Sequence, residues 1–122
     1  MATLVLIDDE LEFVKALDQF FSARGYEVHV ALRGSSGLQL VEEHHPDVVL
    51  MDLKMPGMDG DEVLIRLRKE HPRVKVVVIT AYDEASTKDR LTALGAFAHL
   101  EKPLPSMRAL ADVVRSALQP SA

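Results

Sequence analysis

Short runs of aliphatic and β-branched residues alternate with amphipathic runs along the whole chain. Thr3–Ile7 is apolar and β-rich, and residues 10–24 follow with Leu11, Val14, Leu17 and Phe21 at helical spacing. Gly25 then stands where a helix stops. The pattern predicts a short strand at 27–30, a helix at 35–44 with Leu38 and Val41 inward, and a strand at 47–51. That strand is apolar throughout after its first residue, as a parallel strand covered on both faces must be. Gly60–Glu70 reads as a helix with Val63, Leu64 and Leu67 on one face, and 75–79 as a second buried strand. A weakly apolar helix at 84–94 and a fifth short strand at 97–100 come next. A last helix at 105–118 carries the stripe Met107, Leu110, Val113, Val114 and Ala117. Five strands alternating with five helices predict an α/β fold, a parallel sheet with helices on both faces. Periodicity does not give the strand order.

Composition narrows the class. The 122 residues are 48% apolar and 27% charged, which predicts one domain over 1–122 with a hydrophobic core. There is no cysteine, so disulfide frameworks and thiolate zinc sites are excluded, and a reducing, cytoplasmic setting fits. The apolar start, residues 1–7, lacks the basic region of a signal peptide. Apolar runs such as 76–79 are far too short to span a bilayer, so no membrane role is expected. With 14 Lys and Arg against 19 Asp and Glu, the net charge of −5 argues against direct nucleic-acid binding.

In open α/β sheets, function collects at the carboxyl ends of strands. The first strand runs into Asp8-Asp9-Glu10, the third into Asp52, the fourth into Thr80 and the fifth into Lys102-Pro103. Each has an ordinary reading. Asp8 to Glu10 suit a helix N-terminus, Asp52 a turn, Thr80 a strand end and Lys102 a solvated surface. Together they place carboxylates, a hydroxyl and an ammonium at one edge. Crowded hard oxygen ligands without His or Cys point to Mg2+ or Ca2+. A carboxylate can act as nucleophile and carry an aspartyl phosphate, with a metal and a fixed cation such as Lys102 balancing the phosphoryl charge. Asp59 is expected to cap the following helix, His44-His45 to be solvated, His71-Pro72 to stop a helix, and His29 to lack a partner. No glycine-rich phosphate loop follows the first strand, which excludes the usual nucleotide and flavin carriers.

Four motifs carry a resemblance: Leu-Ile-Asp-Asp-Glu at 6–10, Val-Leu-Met-Asp-Leu-Lys-Met-Pro-Gly-Met-Asp-Gly at 49–60, Val-Ile-Thr-Ala at 78–81 and Gly-Ala-Phe-Ala-His-Leu-Glu-Lys-Pro at 95–103. In this order and spacing the chain resembles, over a core of about 3–118, the receiver domain of two-component response regulators. The resemblance implies a flavodoxin-like (βα)5 fold with strand order 2-1-3-4-5. It implies Asp52 as phosphoacceptor and a Mg2+ site made by Asp9 directly, Asp8 mainly through water, Asp52, and the backbone carbonyl of Lys54. Lys102 would pair with the phosphoryl group, and the Lys102-Pro103 peptide would be cis.

The same resemblance implies a switch. Thr80 would move toward the phosphoryl group and draw the loop 81–84 with it, and a ring on the fifth strand would turn inward. Here that ring is His99 where the family usually has Tyr or Phe. A histidine there is smaller, polar and titratable near neutrality, so its inward state should weaken at low pH. Lys54 and Tyr82 flank the site and predict slow decay of the phosphorylated state. The implied donor is a sensor histidine kinase or phosphotransfer protein. A homodimer or partner face would be built by the helix at 84–94, the strand at 97–100 and the helix at 105–118, with Arg90, Glu101, Arg108 and Arg115 exposed on it. The domain would not be an enzyme in the turnover sense. Two readings compete: an interaction module that never relies on phosphorylation, and an Asp-nucleophile phosphatase. The phosphatase needs a second carboxylate just beyond the nucleophile, where Lys54 stands.

Overall fold

The alternation becomes β1 (Thr3–Ile7), α1 (Leu11–Ala23), β2 (Glu27–Ala31), α2 (Gly34–His44), β3 (Val48–Met51), α3 (Gly60–Glu70), β4 (Lys75–Thr80), α4 (Ala85–Ala93), β5 (Ala98–Glu101) and α5 (Met107–Ala117). The computed structural model describes residues 2–55, 57, 59–81 and 85–119, with backbone only at 85–87. The expected loop residue Tyr82 lies outside the described residues, as do Pro56 and Met58 of the third-strand motif. Boundaries fall within a residue or two of the periodicity, and the shifts have local causes. α5 starts at Met107 because Ser106 Oγ accepts from the Ala109 amide at 2.9 Å and caps it there. α3 starts at Gly60 because Asp59 Oδ1 accepts from the Asp61 amide at 3.0 Å. After α1, Gly25 takes φ 93°, a left-handed conformation that suits glycine.

The strands form one parallel sheet in the order β2-β1-β3-β4-β5, as the resemblance implied. Side chains alternate between its faces. Leu4, Leu6, Val48, Leu50, Val77 and Ile79 pack with α1 and α5 through Val14, Leu17, Phe21, Leu110 and Val114. Val5, Ile7, Val49, Met51, Val76 and Val78 pack on the other face with Val41 of α2, Val63, Leu64 and Leu67 of α3, and Leu91 of α4. Each fully buried aliphatic or aromatic side chain contributes about 1.5–3 kcal/mol, so this double layer is what fixes the strand ends in space. Among the described residues no helix is long and apolar enough to cross a membrane.

The register carries straight into the carboxyl edge. The Asp8 amide donates to the Ala31 carbonyl at 3.1 Å, the Asp52 amide to Ile7 at 3.0 Å and the Lys102 amide to Thr80 at 2.9 Å. Each of these strand-end residues is therefore tied by its backbone to the neighbouring strand, and its side chain leaves from a rigid origin.

Candidate functional site

Lys102 reaches back over the sheet edge and ends among three carboxylates. Its Nζ lies 2.8 Å from Asp8 Oδ2, 2.9 Å from Asp52 Oδ2 and 2.7 Å from Glu10 Oε1. The Asp8 and Asp52 side chains are about 5% exposed and the Lys102 side chain 10%, whereas Glu10 reaches in from solvent. Phe13 lies under the ammonium, with its ring centroid 4.6 Å away. The remaining oxygens of the two aspartates are held from the backbone. Asp8 Oδ1 accepts from the Glu10 amide at 2.9 Å and Asp52 Oδ1 from the Lys54 amide at 3.1 Å. The Lys102-Pro103 peptide is cis.

The electrostatics follow from burial and pairing. Burial by itself would lower the Lys102 pKa, but hydrogen bonds to Asp8, Glu10 and Asp52 outweigh it and hold the ammonium well above the usual lysine range. Asp8 shifts upward, first because it is buried and then because the Asp52 charge lies beside it. Its hydrogen bonds from Lys102 and the Glu10 amide oppose that shift without cancelling it. Three carboxylates thus stabilise the Lys102 charge, whereas burial keeps Asp8 raised despite its contact with that ammonium.

Thr80 completes the edge. It is 1% exposed, and its Oγ1 has no hydrogen-bond partner among the described residues. A buried hydroxyl left unpaired costs about 1–3 kcal/mol, so it marks a place where an acceptor is wanted. Thr80→Val keeps the shape and removes the orphan. We expect the variant to be more stable by about 1 kcal/mol in metal-free buffer, measured by urea unfolding. A loss of stability of that size would show that the hydroxyl is satisfied.

Several residues sit where the sequence did not place them. Asp9, expected as a direct metal ligand, is exposed and stands outside the converging group. With Asp8 committed inward to Lys102, its neighbour turns out to solvent. Glu10, named at the first strand's end but given no ligand role, joins Asp8 and Asp52, with ligand oxygens within 4.8 Å of one another. The signal available for it was its position two residues past Asp8 at the same strand end. His99 is half-buried on β5 opposite Val78. Ala98 and Leu100 pack toward α1 and α5, which leaves His99 on the α4 side, the side of Val78. Of the charges expected exposed on the output face, Arg90 and Arg115 are exposed and also paired, Arg90 3.4 Å from Asp61 of α3 and Arg115 with Asp112 on its own helix. Glu101 and Arg108 are exposed. His29, expected to lack a partner, binds Glu27 and stacks on His44, so His44 is not merely solvated. His71 caps α3 and also reaches Glu42 at 3.1 Å.

The family model described as the response regulator receiver domain matches residues 4–115. The chain is 38% identical over 116 residues to Regulatory protein AtoC of Escherichia coli (strain K12), covering 95% of this chain and 25% of that protein's length. It is 35% identical over 100 residues to Sporulation initiation phosphotransferase F of Bacillus subtilis (strain 168), covering 82% of this chain and 81% of the other. Among solved structures, a receiver domain protein from Clostridium thermocellum superposes with a TM-score of 0.89 at 28% identity, over 97% of this chain and 94% of its own. A 2-1-3-4-5 parallel sheet that gathers two aspartates, a threonine and a lysine at its carboxyl edge, with that match over nearly its whole length, makes this chain a member of the response regulator receiver family of two-component systems.

Proposed function

We propose that the chain is a phosphoacceptor switch in which Asp52 takes a phosphoryl group from a phosphohistidine on a sensor kinase or phosphotransfer protein. The observation that carries this reading is the buried Asp8–Lys102–Asp52 group with an unpartnered Thr80 hydroxyl at the same edge. An Asp52 carboxylate oxygen attacks phosphorus, the P–N bond to the donor breaks as the O–P bond forms, and the donor nitrogen leaves with the electron pair. Lys102 stays charged and moves with its salt-bridge partner onto the phosphoryl oxygens. Thr80 donates its hydrogen bond to one of them, which satisfies the orphaned hydroxyl.

The donor set fits Mg2+. Two buried carboxylates with a third at hand offer hard oxygens only, and the three gather around the single ammonium of Lys102. Asp8 and Asp52 would hold the ion with the Lys54 carbonyl, and Asp9, exposed beside them, would join it. When bound, the ion neutralises charge that develops on the phosphoryl oxygens. Thr80 and the half-buried His99 then pass the change to the face of α4, β5 and α5, where a partner or a second copy docks. On this reading the chain is one signalling domain of the cytoplasm, and it assists its own phosphorylation and dephosphorylation without turnover. The phosphorylation-independent module remains the competitor, supported by the histidine at position 99.

The test is intact mass after incubation with acetyl phosphate and Mg2+. One phosphoryl adduct, absent in EDTA, supports the reading. No adduct under either condition favours the phosphorylation-independent module.

The lysine gives a second test of the metal. Lys102→Ala leaves Asp8 and Asp52 buried side by side without a counter-charge. Breaking a buried ion pair costs roughly 3–5 kcal/mol, and protonation of a carboxylate should reduce that here to about 2–3 kcal/mol. We expect this loss in EDTA and its partial recovery in Mg2+, read from thermal melts of variant and wild type in both buffers. An identical loss in the two buffers would place the ion elsewhere. Because the Lys102 pKa is raised in the fold, its stabilising contribution is complete below the ordinary value of 10.5 and is lost only as pH rises beyond it.

A further inference from the structure

We infer that Glu27, His29 and His44 form a second metal site, one for a divalent transition-metal ion such as Zn2+, on the open edge of the sheet. Glu27 and His29 are two apart on β2, so both side chains leave the strand on the α2 side. His44 ends α2 and lies over them. Its ring stacks on that of His29 with centroids 3.6 Å apart and planes within 11°. The Glu27 carboxylate meets His29 Nε2 at 2.9 Å, and one ligand atom from each of the three residues lies within 4.8 Å of the other two.

Two imidazoles and one carboxylate are a borderline-soft set that suits Zn2+ and its neighbours, unlike the all-oxygen group at Asp52. Donors on a tetrahedral ion with bonds of about 2.0–2.1 Å stand about 3.4 Å apart, so ligand atoms already within 4.8 Å of one another need to draw in only a little. Parallel imidazole planes aim their in-plane lone pairs side by side, so an ion must tilt one ring out of the stack, and the rings, 25% and 32% exposed, sit where the surface leaves room for that. Glu43 Oε2, 3.8 Å from His44 Nε2, adds negative charge beside the set. His44 also lies in the last turn of α2, the helix end whose dipole favours a cation. Three protein ligands leave a position open for water or for a group from another molecule. β2 is an edge strand of the sheet, so an ion here would pin the edge to α2. None of these residues takes part in the phosphoacceptor site.

The experiment is a calorimetric titration of Zn2+ into the whole chain with Mg2+ in excess, so that the carboxylates at Asp52 are already engaged. It compares wild type with His29→Ala, His44→Ala and His71→Ala. The last tests the separate surface group Glu42, Glu70 and His71. We expect one tight Zn2+ per chain in the wild type and in His71→Ala, weakened about tenfold or more in each of the other two. No uptake by the wild type overturns the inference, and so does uptake that survives in His29→Ala and His44→Ala. Imidazole nitrogen spectra of the wild type under the same titration remove any doubt about folding of the variants. The signals of His29 and His44 must move first, and an unchanged pair refutes the site.

Discussion

Asp52→Asn is expected to take up no phosphoryl group from acetyl phosphate and Mg2+ under conditions in which the wild type is expected to gain one. The effect is all or none because the amide oxygen is a far weaker nucleophile than a carboxylate, and the second oxygen that would accept charge is gone. The fold should survive the change. Asp52 is tied through its amide to Ile7, and its side chain accepts from the Lys54 amide, which an asparagine oxygen can still do. Substitution also relieves repulsion between Asp52 and Asp8, while Lys102 keeps Asp8 and Glu10. The melting temperature in EDTA should therefore stay within a few degrees of the wild type, a change of about 1 kcal/mol or less. Intact mass and a melt decide it together. A variant that still gains one adduct would move the acceptor to Asp8, Asp9 or Glu10.

How far the sequence reached depends on what kind of contact placed each residue. β3 and β4 were legible because Val48–Met51 and the run through Val76 and Val78 are buried on both faces, and such strands cannot hide polar residues. The strand-end residues were legible because the parallel sheet brings every carboxyl end to one edge. The strand order was not, since periodicity says which face is buried and nothing about which strand is the neighbour; it came from the resemblance. Glu10 was missed because an acidic residue at a helix start has a sufficient local explanation, while its actual partner Lys102 is 92 residues away. The exposed position of Asp9 was not legible because two adjacent carboxylates at a strand end look alike in the chain, and the contact that turns Asp8 inward comes from Lys102, far along it. The stack of His29 on His44 depends on how α2 lies across β2, which is a packing register invisible to either period.

The largest expected loss of stability comes from a methyl group at the start of α3. Gly60 is buried, and a Cβ built on it would stand 2.4 Å from Leu53 Cα and 2.6 Å from the Leu53 carbonyl oxygen. Both are backbone atoms, so no side chain can rotate away. Gly60→Ala must push the first turn of α3 off the segment that leaves Asp52. The gain in helix propensity is at most about 1 kcal/mol and less at a helix end, and overpacking against backbone outweighs it. We expect a net loss of about 2–4 kcal/mol, on the order of 10 °C in melting temperature. The exposed helix substitution Gln39→Ala should change stability by no more than about 0.5 kcal/mol. Function should suffer beyond the loss of folded protein, because Leu53 and Lys54 connect the same segment to Asp52 and the Lys54 amide orients its Oδ1. At a temperature where Gly60→Ala is fully folded, its phosphorylation by acetyl phosphate should still be slower than that of the wild type. A variant that melts with the wild type would mean that α3 has room to shift, and the packing of Gly60 on Leu53 would then carry no control over the acceptor.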